Sequence, residues 1–228
     1  MATASRRITR KQLRQPDWFQ VTSERALEYY EGHKGLVFCA LGAVVFVLAV
    51  SWGWQAFKSN QNRVASEEFN KAAELYQNVK YPEALAAFEK VETYRWSRYA
   101  GLAHLYRANI YLATSDLDKA LTAAQRALAA TSPDTLYRQL ALMALGSAEE
   151  RKNQCKTAIE HFAEAQQIAG ALQGQAVLGR ARCAEQLGDK AMMIAAYKDY
   201  LKDNPGSPLA LKLAELEASS GASLGAKK

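Results

Sequence analysis

From Gly35 to Val50, sixteen consecutive positions carry no charged or strongly polar side chain, and the run continues through Ser51, Trp52, Gly53, Trp54, Gln55, Ala56 and Phe57 to Lys58. Between Lys34 and Lys58 lie 23 residues. As a helix at about 1.5 Å per residue they would extend roughly 34 Å, enough to cross a bilayer. Trp52, Trp54 and Phe57 fall at one end, where an interfacial aromatic belt belongs. The run is long for a signal peptide and lacks an Ala-x-Ala-like exit, and the residues before it are too few to bury it as a core helix. The pattern therefore predicts a transmembrane helix over 35–57. At 100° per residue Gly35, Cys39, Gly42, Ala43, Ala49 and Gly53 share one side, a face on which a second helix could approach closely.

Beyond Lys58 the pattern changes to helical amphipathicity, and a helix-pair unit recurs every 35 to 38 residues. The openings of the second helices read Tyr81-Pro-Glu-Ala84 with Phe88, Leu117-Asp-Lys-Ala120 with Ala127, and Cys155-Lys-Thr-Ala158 with Phe162 and Ala165. The fourth reads Leu187-Gly-Asp-Lys190 with Tyr197 and ends on Asn204-Pro205. Upstream sit Ala72, Ala108, Gly146 and Ala181, small residues at which the first helix of each pair meets the second. Pro208 to Ala218 reads as a helix capping the last apolar face. The expected organisation is all-α: a tail with a short helix at 1–34, the span at 35–57, four helix pairs plus cap at 58–218, and a flexible tail at 219–228.

This resembles the tetratricopeptide repeat, with small residues at its eighth and twentieth positions, an aromatic at the twenty-fourth and a closing proline, here Pro133 and Pro205. The resemblance covers about residues 65 to 207 and implies an α-solenoid whose first helices line a concave protein-binding groove. It places Phe69, Tyr76, Leu102, Leu105, Asn109 and Leu112 in an apolar half of that groove. A mixed-charge half takes Met143, Glu150, Arg151, Gln175, Leu178, Arg182 and Glu185. A basic tail, one anchor helix and a repeat domain in this order are also similar to the ancillary subunit of the Sec translocon and its relatives. That similarity implies translocon subunits and periplasmic chaperones as partners.

Net charge is +6, which raises a nucleic-acid reading until it is divided along the chain. Residues 1–34 hold seven Lys/Arg against four Asp/Glu, whereas 59–228 hold 21 against 19 with the signs interspersed. No phosphate-tracking stripe results, and nucleic acid is not an expected partner. The cluster Arg6, Arg7, Arg10, Lys11 and Arg14 favours a cytoplasmic tail, which puts the repeat domain in the periplasm of a bacterial inner-membrane protein.

Chemistry adds little. His33, His104 and His161 are far apart, no Cys-x-x-Cys occurs, and Phe38 before Cys39 does not fit a lipoprotein cleavage box. Gly174 to Gly179 has phosphate-loop spacing but lacks the Lys-Ser/Thr ending and falls on an expected helix, so it reads as packing glycine. No cofactor, metal or catalytic residue is expected, and Glu149-Glu150-Arg151-Lys152 reads as a solvated charged turn. A second candidate surface is Tyr94, Arg95, Trp96, Arg98 and Tyr99, aromatics and arginines being common at interface hot spots. Cys155 and Cys183 fall toward one edge of adjacent helices, where an oxidising compartment would permit a disulfide. The expected function is a membrane-anchored scaffold or adaptor holding partner proteins. The alternative is a fixed assembly subunit of another envelope machine serving secretion, motility or division.

Overall fold

The computed structural model describes residues 18–133 and 135–225. The basic cluster at Arg6 to Arg14 lies outside the described residues, as do 226–228. Every element among the described residues is helical. The chain divides into two compact units, 1–57 and 58–228.

In the first unit, α1 (Trp18–Gly32) precedes α2 (Lys34–Gln77), with His33 between them. The stretch of α2 up to Phe57 is apolar and almost wholly solvent-facing: Leu36, Phe38, Val45, Phe46 and Leu48 are all about 60% exposed or more. By length and composition it is the one helix among those described that is able to cross a membrane. On the small-residue face, a Cβ added at Gly35, Gly42 or Gly53 would meet no atom within 4 Å.

The second unit begins with the remainder of α2, now amphipathic, burying Ala65, Phe69 and Ala72. There follow α3 (Tyr81–Glu92), α4 (Arg98–Ala113), α5 (Leu117–Ala129), α6 (Leu136–Arg151), α7 (Cys155–Gln167), α8 (Gln173–Leu187), α9 (Lys190–Asp203) and α10 (Leu209–Gly225). The four pairs are the end of α2 with α3, α4 with α5, α6 with α7, and α8 with α9. The small-residue register explains their close approach. Ala72, Ala108, Gly146 and Ala181 are buried in the first helices, and Ala84, Ala120, Ala158 and Met193 in the second. In the fourth pair α9 starts at Lys190, so Leu187 to Asp189 forms the turn, and Met193 takes the small-residue place twelve residues after Ala181, as the spacing expects.

The turns repeat with the same spacing. Val79, Ser115, Asn153 and Gly188 have φ of 59°, 63°, 60° and 70°. The following amide returns to a carbonyl five residues back: Lys80 to Leu75, Asp116 to Tyr111, Gln154 to Glu149 and Asp189 to Ala184, at 2.9 to 3.0 Å. Each first helix thus ends in a left-handed residue that turns the chain into the second.

Packing changes character along the repeats. At the first junction Phe69, Phe88 and Tyr106 have ring centroids 5.1 to 5.5 Å apart. The second core is dominated by alanine: Ala108, Ala123, Ala124, Ala127, Ala141 and Ala144. In the third, Phe162 is fully buried, and a Cβ at either Gly146 or Gly179 would come within 2.8 Å of its ring. The phosphate-loop spacing is therefore helix packing on α8, with Gly174 set against Tyr200. Leu209, Leu213 and Leu216 of α10 cover the last cluster around Tyr197. The helix continues through 219–225, which the sequence pattern assigned to a tail.

Candidate protein-binding site

Two of the expected groove residues are almost wholly buried. Phe69 and Leu105 are only 8% and 5% exposed, because a helix that packs on both its partner helix and the next repeat turns more than one stripe inward. Tyr76, Leu102, Asn109, Leu112, Met143 and Leu178 are half-buried. Tyr76 rests on Tyr81 and Tyr106, with centroids 6.1 and 5.2 Å away. Leu112 packs on the second core, and Met143 on the clusters of the third repeat.

The mixed-charge half is stitched to itself. Arg182 holds Glu150 with two bonds of 2.6 and 2.8 Å, and this carboxylate raises the arginine's pKa against the opposing effect of burial. Glu185 accepts from Lys212 at 3.1 Å. Arg151 donates to the Leu112 carbonyl and, at 2.8 Å, to Ser115 Oγ. Gln175 is exposed. The turn expected to be solvated belongs to the same system: Glu149 is buried against His161 Nδ1 at 2.7 Å, and Lys152 reaches Asp118. Partners 12 to 39 residues away hold all four charges in place, a relation that local sequence does not reveal.

Cys155 and Cys183, the pair expected to bridge, stand side by side as thiols in the structure. Both are buried free thiols, adjacent enough to share a hydrogen bond, and Cys155 Sγ donates to Gln186 Oε1 at 2.9 Å. Burial first, and then Cys155, pushes the Cys183 thiol up. An uncharged buried thiol is a poor nucleophile.

The aromatic-arginine segment between α3 and α4 borders two adjoining concavities. Ser97 caps α4, accepting from the Tyr99 amide at 3.0 Å, and Asn62 accepts from the Arg98 amide at 3.1 Å. Tyr94 packs on the first core, while Arg95, Trp96 and Arg98 are exposed. A cavity of about 600 Å3 is bounded by Glu92, Arg95, Arg98, Gly101, His104, Arg126 and Ala130, among others. A second, of about 400 Å3, is lined by Tyr99, Leu102, Leu105, Ala127 and Tyr137, and shares Arg98, Gly101 and Ala130 with the first. Part of this cleft was visible in the sequence, as the aromatic-arginine run and as Leu102 and Leu105 of the expected groove. The contribution of Arg126, Ala130 and Tyr137 arises from the fold.

Glu92 sits in the wall with its charge satisfied by His104 Nδ1 at 2.9 Å and Arg107 at 2.6 Å. Burial alone would raise its pKa, but the hydrogen bonds from His104 and Arg107 outweigh it and hold the carboxyl below its ordinary value. Among the described residues no group of three His, Cys, Asp or Glu is placed to hold a metal ion.

Paired helices in a constant small-residue register, with clefts between successive pairs, define a helical-repeat protein. The chain belongs to the tetratricopeptide repeat-like domain family, whose model matches residues 28–218 and so includes the apolar stretch. Repeats of this kind generally mediate protein–protein interaction. The comparison with curated proteins finds no match.

Proposed function

We propose that this protein is a membrane-anchored adaptor that works by binding rather than by catalysis, its repeat domain holding partner proteins at the outer face of a bacterial inner membrane. One observation carries the anchoring: the exposed apolar side chains of α2 from Leu36 to Phe57, a continuous surface that water does not favour. The adaptor role is supported by membership of a protein-binding repeat family. The similarity in arrangement to the ancillary translocon subunit favours the Sec exit and periplasmic chaperones as its setting.

Two measurements test this. Alkaline phosphatase fused after Lys228 is expected to be active, whereas activity only from a cytoplasmic reporter there would overturn the orientation. Photocrosslinking from Tyr76 and Asn109, read by mass spectrometry, should yield translocon subunits together with many unrelated exported chains. A single stoichiometric partner would replace client holding with a fixed place in another envelope complex.

A further inference from the structure

The cleft around the start of α4 has a chemical polarity that the rest of the repeat domain lacks. Arg95, Arg98 and Arg126 border its larger cavity. No ion pair engages any of them among the described residues, although Arg98 leans on the Tyr99 ring at 5.2 Å. Elsewhere the lysines and arginines of this domain are largely spent on carboxylates, as with Arg107, Arg138, Lys152, Arg182 and Lys212. Among the described residues the only carboxylate bordering the cavity is Glu92, which already has His104 and Arg107 as partners. Among the described residues, three cations thus face a recess with no counter-charge of their own.

The adjoining cavity is the more apolar of the two, although Thr131, Ser132 and Thr135 also line it, and the two share Arg98, Gly101 and Ala130. Their volumes, about 600 and 400 Å3, fall in the range of roughly 300–1,000 Å3 expected of ligand sites. Leu102, Leu105 and Tyr137 offer a seat for one large side chain, with cations at its rim.

We propose that this cleft binds a short acidic segment of a partner protein. An aliphatic or aromatic side chain enters the apolar cavity, and flanking carboxylates meet Arg95, Arg98 and Arg126. Guanidinium groups suit this task because their planar forks match carboxylates bidentately. An anionic membrane surface would engage the arginines but would leave the apolar cavity without an occupant. The proposal rests on the protein-binding reading and is independent of membrane orientation and of the translocon.

The full chain, purified in micelles of an uncharged detergent, is applied to an array of random decapeptides. Bound peptides should be enriched in Asp and Glu beside Leu, Phe or Tyr, and the binding should weaken as salt is raised. The double variant Arg95→Glu/Arg126→Glu should lose at least about tenfold in affinity for the selected peptides, a modest loss for reversing two interfacial charges. Both side chains are exposed, so an unchanged helical spectrum is expected. Ala130→Trp, which fills the junction of the two cavities, should abolish binding with all three arginines intact. If it unfolds the domain, the charge reversal decides alone. A blank array, an array without acidic enrichment, or affinity indifferent to the charge reversal would each overturn the proposal. So would arginine-dependent binding to phosphatidylglycerol vesicles with a blank array, which would assign the cations to a lipid surface. Failure here leaves the crosslinking result untouched, and the adaptor reading is judged by that result.

Discussion

Val79 is the least comfortable residue in the repeat domain, because a β-branched side chain is held at φ 59°, where Cβ crowds the backbone. Its counterpart in the fourth repeat is Gly188, and in the third it is Asn153, a type that tolerates this conformation better. Val79 is 64% exposed, so little packing depends on it. Val79→Gly should therefore raise stability by about 1 kcal/mol, relief of strain outweighing the greater freedom of glycine in the unfolded chain. A denaturant midpoint that falls would show that the turn draws on the valine side chain. Nothing in the sequence marks residue 79 as left-handed, whereas the small residues at 72, 84, 108, 120, 146, 158 and 181 announce themselves by spacing. Gln139 was equally hidden. It is fully buried in α6, and its Nε2 donates to the carbonyls of Ala165 and Ile168 at 3.0 and 2.9 Å, closing the end of α7. A polar residue in an apolar-looking helix declares this role only when the helix it closes, 26 residues on, is in place.

Helices and their pairing were legible because periodicity fixes both, but which stripe of a helix faces a groove was not. Phe69 occupies a position that serves as groove in the repeat pattern and as core here, since neighbouring first helices press against each other, whereas Leu105 is buried and still lines the second cavity. At the junction of α6, α7 and α8 the fit is tighter still. Phe162 is clasped by Gly146 and Gly179, and a methyl at either would intrude to 2.8 Å from a fully buried ring. Gly179→Ala should improve helix propensity by about 1 kcal/mol and still lose about 1–3 kcal/mol net through overpacking. Phe162→Leu, itself destabilising, should make the same glycine change close to neutral when the two are combined. Additive losses in thermal denaturation of the double variant would mean that the clasp is looser than this geometry implies.

At the scale of the repeat domain, acid is expected to loosen the link between the first two pairs. Glu92 of α3 bonds to His104 and Arg107 of α4, and its carboxyl ionises below the ordinary 4.5 in the fold. Its contribution to stability is therefore complete above about pH 4.5 and is withdrawn as pH falls through the folded value. Glu92→Gln should cost about 2 kcal/mol at neutral pH, the scale of a hydrogen bond to a charged group. It should also flatten the acid limb of the stability profile, measured by urea unfolding at successive pH values. A parallel profile would place the acid sensitivity elsewhere. The charged links farther along have a different consequence. Arg151 reaches back to Leu112 and Ser115, Arg182 to Glu150, and Lys212 to Glu185. Each bond names one specific neighbour, so the repeats behave less like interchangeable bricks than like numbered pages. Excising the third pair would bring Arg182 to the leucine at 112 where it now finds a carboxylate, and shuffling pairs would orphan a charge at every new seam. The order of the repeats is thereby written into the surface as well as into the chain.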